Sequence, residues 1–146
     1  MVRTPRIVPC LALVAVLAMT AAAPPATAAR SRAHRLLHLV NQLRASYGLV
    51  RLREDADVSR FAVQHSRRMA ESNTLFHTTD LRSVVGRRAN AWGENIAKAR
   101  RVRRAFMMWA RSSGHRANML NPRYRRTGIG IVKQRGYLWV TMIFYG

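Results

Sequence analysis

The segment Tyr137 to Tyr145 is apolar on both faces of a strand, and this constrains the fold more than any other feature of the chain. One face carries Leu138, Val140, Met142 and Phe144, and the other carries Trp139, Ile143 and Tyr145. Such a strand has to be covered on both sides. Before it, Ile129 and Ile131 alternate with glycines and Gln134-Arg135-Gly136 is typical of a turn, which predicts a hairpin. We therefore expect an α+β domain with a central antiparallel sheet covered by helices.

Four other segments have apolar residues at helical spacing. The predicted helices run from His34 to Tyr47, from Asp55 or Asp57 to Asn73, from Arg101 to Arg111, and from Ser112 or Ser113 to Leu120. Aspartate and serine are favoured N-caps, and asparagine tolerates the left-handed conformation that ends a helix. The expected buried face of the second helix consists of Val58, Ala62, His65 and Met69. We expect His65 to be a hydrogen-bonded packing residue, and a position bordering a cleft is the alternative.

The N-terminus has the pattern of an export signal. Arg3 and Arg6 precede an apolar run from Ile7 to Ala23, and Ala26-Thr27-Ala28 is typical of a cleavage site. An uncleaved membrane anchor is the alternative, but Pro9 interrupts the run, which is shorter than the roughly 20 residues that a spanning helix needs. The pattern predicts a secreted protein.

These features divide the chain into three parts. Residues 1–28 are the predicted signal peptide, 29–33 a basic lead-in expected to be disordered, and 34–146 a single domain with no transmembrane segment. Cleavage after Ala28 would remove Cys10, the only cysteine. The mature chain would then form no disulfide, and thiol catalysis and metal ligation by cysteine are excluded.

Arginine dominates the charge of the chain. The sequence has 26 basic residues against 6 acidic ones, and its net charge is +20 with neutral histidines. Such a charge attracts polyanions, namely anionic lipids, envelope polymers and nucleic acid, although a coding bias towards arginine is an alternative explanation. Arg100, Arg101 and Arg104, at the start of the third predicted helix, are the candidate residues for an anionic partner.

His77, Glu94 and His115 are the candidate site residues. Two imidazoles and a carboxylate can hold a metal or carry out acid-base chemistry, provided that they meet in space. Separations of 17 and 21 positions permit this, and the alternative is a pair of surface or capping histidines. His34 and His38 are four positions apart with no third ligand nearby, so we expect them to face solvent.

Several motifs together carry a family resemblance. They are Asn41-Gln42-Leu43-Arg44, His77 after Phe76, Gly93-Glu94-Asn95-Ile96-Ala97, Trp109-x-x-Ser112-x-Gly114-His115-Arg116-x-Asn118-x-Leu120 and Gly128-Ile129-Gly130. In these residues the chain resembles the CAP superfamily, also called SCP or PR-1-like domains, in its small exported bacterial form. The resemblance covers essentially all of the predicted mature domain.

This resemblance implies an α-β-α sandwich with a central cleft in which His77, Glu94 and His115 converge. The two histidines would bind a divalent metal such as zinc, with Glu94 orienting a histidine or acting as a third ligand. No organic cofactor is implied. The residues expected to support the cleft are Asn95, Ser112 and Asn118.

The chain departs from the family pattern at Ser112, where eukaryotic members often have a second glutamate. No acidic residue follows Glu94 to replace it, so the four-residue form of the site is incomplete. Eukaryotic members are also disulfide-bonded, whereas this domain has to rest on its core alone.

The hydrolase motifs His-Glu-x-x-His, Gly-x-Ser-x-Gly and Ser-x-x-Lys are missing from the sequence. The sequence therefore favours an exported binding module for a lipid or an anionic envelope component over an enzyme. One alternative is a metal-dependent hydrolase with His77 and His115 as ligands and Glu94 as general base. Another is a basic effector that binds membranes or nucleic acid by charge.

Overall fold

The computed structural model describes residues 25–87 and 89–146, so residues 1–24 of the predicted signal peptide lie outside it. In chain order the elements are α1 (Pro25–Ser46), β1 (Arg53–Glu54), α2 (Ala56–Ser72), α3 (Leu81–Val85), β2 (Trp92–Ala99), α4 (Val102–Arg111), α5 (Ser113–Leu120), β3 (Arg126–Gln134) and β4 (Tyr137–Tyr145). None of the helices within the described ranges is long and apolar enough to cross a membrane.

The four strands form one sheet in the order β1-β3-β4-β2. β4 pairs antiparallel with both β3 and β2, and the predicted hairpin is confirmed. The three long strands form the expected central antiparallel sheet, and the short β1 adds a parallel pair with β3 at one edge. From β1 the chain runs through α2 to β2 at the opposite edge, and from β2 through α4 and α5 to β3. Connections through helices of this kind join parallel strands, so β1 and β3 run in the same direction.

Helices cover both faces of this sheet, and the α-β-α sandwich is confirmed. On one side of β4, Val140 and Phe144 are fully buried in the main core together with residues of α1, α4 and α5. On the other side, Ile143 packs against α2 and α3, and Trp139 packs against the end of α2. β4 is therefore buried on both faces, as its composition predicts.

The second helix lies close to the sheet because β3 has glycines beneath it. A Cβ atom on Gly130 would come within 2.1 Å of the Ala62 backbone, and one on Gly128 would meet Val58 at 2.5 Å. The predicted ends of α2 are confirmed. The Asp55 side chain accepts hydrogen bonds at the N-cap, and Asn73 takes the left-handed conformation at the C-cap.

The expected disorder of residues 29–33 was wrong, since this stretch lies inside α1. Alanine has the highest helix propensity, and Ala33 is buried in the main core, so packing extends the helix beyond the predicted start at His34. The predictions for α4 and α5 are confirmed within one residue at each end. Neither α3 nor β2 was predicted from the sequence.

Candidate functional site

Strand β2 places Glu94 in the interior, opposite the segment that joins α2 to α3. The side chain of Glu94 is 1% exposed, whereas that of His77 is 60% exposed. The Nδ1 atom of His77 donates a hydrogen bond of 2.7 Å to Oε2 of Glu94. The structure thus brings two of the three candidate residues into direct contact, with the carboxylate inside and the imidazole at the surface.

Thr78 supplies two more hydrogen bonds to the same carboxylate. Its backbone N–H donates to Oε2 at 3.0 Å, and its hydroxyl donates to Oε1 at 2.7 Å. The Glu94 side chain therefore accepts three hydrogen bonds from two consecutive residues, His77 and Thr78. These bonds fix the segment that carries His77. Sequence reasoning missed Thr78, whose only signal was a hydroxyl directly after the histidine.

His65 lies behind Glu94 on the buried face of α2. Its Nε2 atom is 2.8 Å from the carbonyl oxygen of Phe76 and 3.9 Å from Oε1 of Glu94. Its ring stacks on Phe61 and meets the edge of Phe76. The prediction of a satisfied packing residue is confirmed, and the position next to Glu94 also puts His65 at the back wall of the site.

His115 lies on α5 and is held by the hydroxyl at the start of that helix. The Oγ atom of Ser112 is 2.8 Å from Nδ1 of His115. Ser112 occupies the N-cap position, but its side chain makes no capping hydrogen bond, so the hydroxyl is committed to the imidazole. Ser112 thus contacts one histidine in the way that Glu94 contacts the other.

Two amides join α5 to β2 beside these histidines. Asn95 donates to the carbonyl oxygen of His115 at 2.9 Å. Asn118 donates to Oδ1 of Asn95 at 2.9 Å and to the carbonyl oxygen of Glu94 at 3.2 Å. This network positions the backbone of Glu94 relative to His115.

The two imidazoles are close enough to influence each other. Burial lowers the pKa of His115, and the charge of His77 lowers it further. Across residues 25–87 and 89–146, no group of three or more His, Cys, Asp or Glu side chains is arranged to hold a metal ion. What the site offers is two surface-facing imidazoles, each bonded through Nδ1.

The three candidate arginines, Arg100, Arg101 and Arg104, are all exposed, but Arg100 lies apart from the other two. Arg101 and Arg104 line a hollow of about 270 Å³ on α4, together with Arg103, Met107 and Arg111. Arg100 lies apart, with its guanidinium 5.4 Å from the centre of the Tyr137 ring. We call the hollow and its four arginines, at positions 101, 103, 104 and 111, the α4 arginine cluster.

Comparison with known proteins identifies the family. Residues 37–144 match the model of the cysteine-rich secretory protein family, CAP. The chain belongs to this family. It is 31% identical over 135 residues to the uncharacterised protein YkwD of Bacillus subtilis (strain 168), covering 87% of this chain and 51% of that protein. This CAP domain therefore spans about half the length of that relative.

Solved structures share the fold of this CAP domain. An extracellular protein containing an SCP domain from Bacillus anthracis is similar with a TM-score of 0.73 and 23% identity, over 86% of this chain and 45% of that one. An outer surface protein from Borrelia burgdorferi also has a TM-score of 0.73, at 19% identity, over 80% of this chain and 92% of that one. At these identities the likeness establishes the fold alone.

Proposed function

We propose that this CAP domain is an exported binding module for an anionic component of the cell envelope, a lipid headgroup or a wall polymer. The α4 arginine cluster carries the proposal. Four arginine side chains line one hollow, and no ion pair among the described residues involves any of them. Residues 95–146 contain no aspartate or glutamate that could neutralise the cluster.

The chemistry of the cluster suits phosphate and carboxylate. Guanidinium groups bind these anions through paired hydrogen bonds and are less strongly hydrated than lysine. Each basic side chain near an anionic membrane contributes about 1 kcal/mol, and the effect is screened beyond about 8 Å at physiological salt. Four such groups on one helix face attract an anionic membrane to this part of the surface. The net charge of the chain alone would not favour one part of the surface over another.

Vesicle sedimentation tests the proposal. The double variant Arg101→Glu/Arg104→Glu should bind phosphatidylglycerol vesicles roughly thirtyfold more weakly, because at least about 2 kcal/mol of attraction is removed. The matched control is Arg35→Glu/Arg51→Glu, which changes the net charge equally at exposed positions away from α4. Equal losses in the two variants would show that net charge, and not the cluster, drives binding.

Two competitors separate the anionic partners. Soluble polyphosphate that displaces the protein from vesicles would show that phosphate chemistry is shared between lipid and polymer. Duplex DNA that binds more tightly than either, with the same dependence on Arg101 and Arg104, would favour the nucleic-acid alternative. Insensitivity of vesicle binding to salt would contradict an electrostatic site altogether.

A metal in the cleft is a second candidate function, supported by how the histidines are held. His77 uses Nδ1 to contact Glu94, and His115 uses Nδ1 to contact Ser112. No hydrogen-bond partner for either Nε2 atom is found within the described part of the chain. A carboxylate that holds Nδ1–H is the usual partner of a metal-binding histidine, which supports His77 as a zinc ligand, and the free Nε2 atom of His115 would be the second. Bound zinc would keep open positions for an anionic group of the ligand.

Calorimetric titration with zinc tests this second candidate. Binding should be weaker at about pH 5.5 than at about pH 7.5, because only neutral imidazoles coordinate the metal. The double variant His77→Ala/His115→Ala should abolish binding. The exposed pair His34→Ala/His38→Ala on α1 is the matched control and should leave it unchanged. Zinc binding that survives the first variant would show that the two cleft histidines are not the ligands.

The hydrolase alternative receives less support from the geometry. A general base needs a lone pair within reach of a water or substrate proton. The Glu94 carboxylate is 1% exposed and already accepts three hydrogen bonds. This arrangement favours Glu94 as the residue that orients His77.

A further inference from the structure

One edge of the sheet is open over most of its length. β1 has only two residues and pairs with Arg126 and Thr127, whereas β3 continues to Gln134. Residues 128–134 therefore have β4 on one side and, among the described residues, no strand on the other. An unpaired strand edge presents a row of backbone donors and acceptors to whatever lies beside it.

The direction of these backbone groups follows from two hydrogen bonds. The carbonyl oxygen of Thr127 accepts from the Asp55 N–H at 2.8 Å, and the N–H of Ile129 donates to the Ser59 hydroxyl at 3.0 Å. Both groups point away from β4. Because a strand alternates with a period of two, the backbone groups of Ile131 and Lys133 point to the same open edge.

A groove of about 1180 Å³ runs along this edge between the two helical layers. Ala29 and Ala33 of α1 line one wall, together with Ala26 and Ala28 of the predicted signal peptide, which cleavage would remove. Val63 of α2 lines the other wall, and Ile129 and Ile131 lie at the floor. Because α1 and α2 line the groove on either side of the β3 edge, it occupies the place of a further strand.

The rim of the groove is strongly basic. Its charged lining residues are Arg30, Arg32, Arg60, Arg67 and Lys133, against the carboxylate of Glu54. Arg60 is paired with Asp57, which leaves four basic side chains for an occupant. A bound segment that pairs with β3 at the floor of the groove would therefore bind more tightly if it carried acidic side chains that face the rim.

We propose that this groove binds an extended acidic peptide, which adds to β3 as a further strand. Main-chain hydrogen bonds to an open edge give affinity in this mode of recognition, and alternate side chains give specificity. An acyl chain would leave the Ile131 and Lys133 backbone groups without partners. A second copy of this chain would bring two basic rims together. The site is separate from the cleft histidines and from the α4 arginine cluster.

The test uses a fluorescently labelled synthetic peptide of alternating valine and glutamate, about eight residues long. It should bind in a fluorescence anisotropy assay. The same peptide with N-methyl groups on alternate amides should bind at least roughly tenfold more weakly, because it cannot pair with the strand edge. Equal binding of the methylated peptide would overturn the proposal, and so would equal binding of a valine-lysine peptide.

A matched pair of variants at Lys133 separates the backbone from the charge. Lys133→Pro removes an N–H that points away from β4, a position where the edge of a sheet accepts proline. Lys133→Ala removes the ammonium group and its methylene chain but keeps the backbone N–H. The proline variant should weaken peptide binding roughly tenfold relative to the alanine variant. Equal affinities would show that the Lys133 N–H does not pair with the peptide.

Amide hydrogen exchange of the unchanged protein gives an independent readout that does not depend on how the variants fold. Bound peptide should slow exchange at Ile131 and Lys133 and leave the ladder between β3 and β4 as it was. Unchanged exchange at both amides would overturn the proposal. Displacement of the peptide by dodecanoate, together with insensitivity to N-methylation, would identify an acyl-chain site instead and would also overturn it.

Discussion

Arg44 is a fully buried cation that connects α1 to the segment after α5, and replacing it should destabilise the domain severely. Its Nε atom donates to the carbonyl oxygen of Val50 at 2.9 Å, and its two terminal nitrogens donate to those of Met119, Asn121 and Tyr124 at 2.8 to 3.0 Å. Burial lowers the pKa of Arg44, because the charged form loses its water. One guanidinium thus donates to four carbonyl groups.

The magnitude of the loss follows from which of these bonds are buried. In Arg44→Leu, the buried acceptor on Met119 would be left without a donor, whereas the carbonyl oxygen of Tyr124 keeps a longer hydrogen bond of 3.2 Å from Arg125. The orphaned acceptor costs about 1–3 kcal/mol and the lost bond to Tyr124 about 1 kcal/mol, which gives about 2–4 kcal/mol in total. Water can reach the part-buried acceptors on Val50 and Asn121, and the variant no longer buries a cation, which offsets part of the loss. We expect about 3 kcal/mol, a large share of a typical domain stability.

Urea unfolding followed by circular dichroism measures this loss. Arg35→Leu, an exposed position on the same helix, is the control and should change the free energy of unfolding by less than about 0.5 kcal/mol. Arg44→Lys keeps the charge but has three donors without the planar fork. Its stability should therefore lie between that of Arg44→Leu and that of the Arg35→Leu control. A loss of less than about 1 kcal/mol in Arg44→Leu would refute the assignment of the guanidinium as the donor to these carbonyls.

Two further changes test the packing of α2 and the pH dependence of its N-terminal cap. Gly130→Ala should destabilise the domain by about 3 kcal/mol in the same urea assay, because the new Cβ would clash with the Ala62 backbone, whereas Gly114→Ala meets nothing within 4 Å and should cost less than about 1 kcal/mol. Tyr145→Phe removes a 2.7 Å hydrogen bond to Asp55 and should cost about 1 kcal/mol at neutral pH. That bond lowers the pKa of Asp55 in the folded state, so its contribution is present above about pH 4 and disappears as the pH falls through the folded pKa. A Tyr145→Phe loss that stays constant down to about pH 2 would contradict this linkage.

The sequence predicted those helices and strands that are determined by residues close to one another along the chain. β4 carries its two-sided burial in nine consecutive residues, and α2 has a capping aspartate at one end and an asparagine at the other. The turn between β3 and β4 lies where Gln134-Arg135-Gly136 predicted it, with Arg135 and Gly136 at positive φ. In each case the residues that determine the structure lie within a few positions of one another.

What could not be predicted depends on partners distant in sequence. β1 is a strand only because Arg53 and Glu54 pair with residues more than 70 positions away. β2 has mixed composition and is held by its full-length pairing with β4. The place of His65 behind Glu94, and the separation of Arg100 from the α4 arginine cluster, depend likewise on how helices dock on the sheet.

Most motif residues of this CAP domain make contacts that hold the fold together. The residues that do not make such contacts therefore indicate where a specific function lies. The Trp109 indole N–H donates to the carbonyl oxygen of Ile96 at 2.9 Å, and Asn95 and Asn118 bond to each other between β2 and α5. The guanidinium of Arg44 likewise donates its hydrogen bonds to backbone carbonyl groups.

Once these contacts are assigned, His77 and His115 are the candidate site residues whose Nε2 atoms have no hydrogen-bond partner within the described part of the chain. Shared motifs therefore explain the shared fold, but folds host many functions and the site decides among them. The α4 arginine cluster and the open edge of β3 lie outside the motifs that define the resemblance, apart from Gly128-Ile129-Gly130 at the start of that edge. Substitutions that change ligand preference without loss of stability should consequently be found on these two surfaces, whereas substitutions of Asn95 or Asn118 should lower stability and binding together.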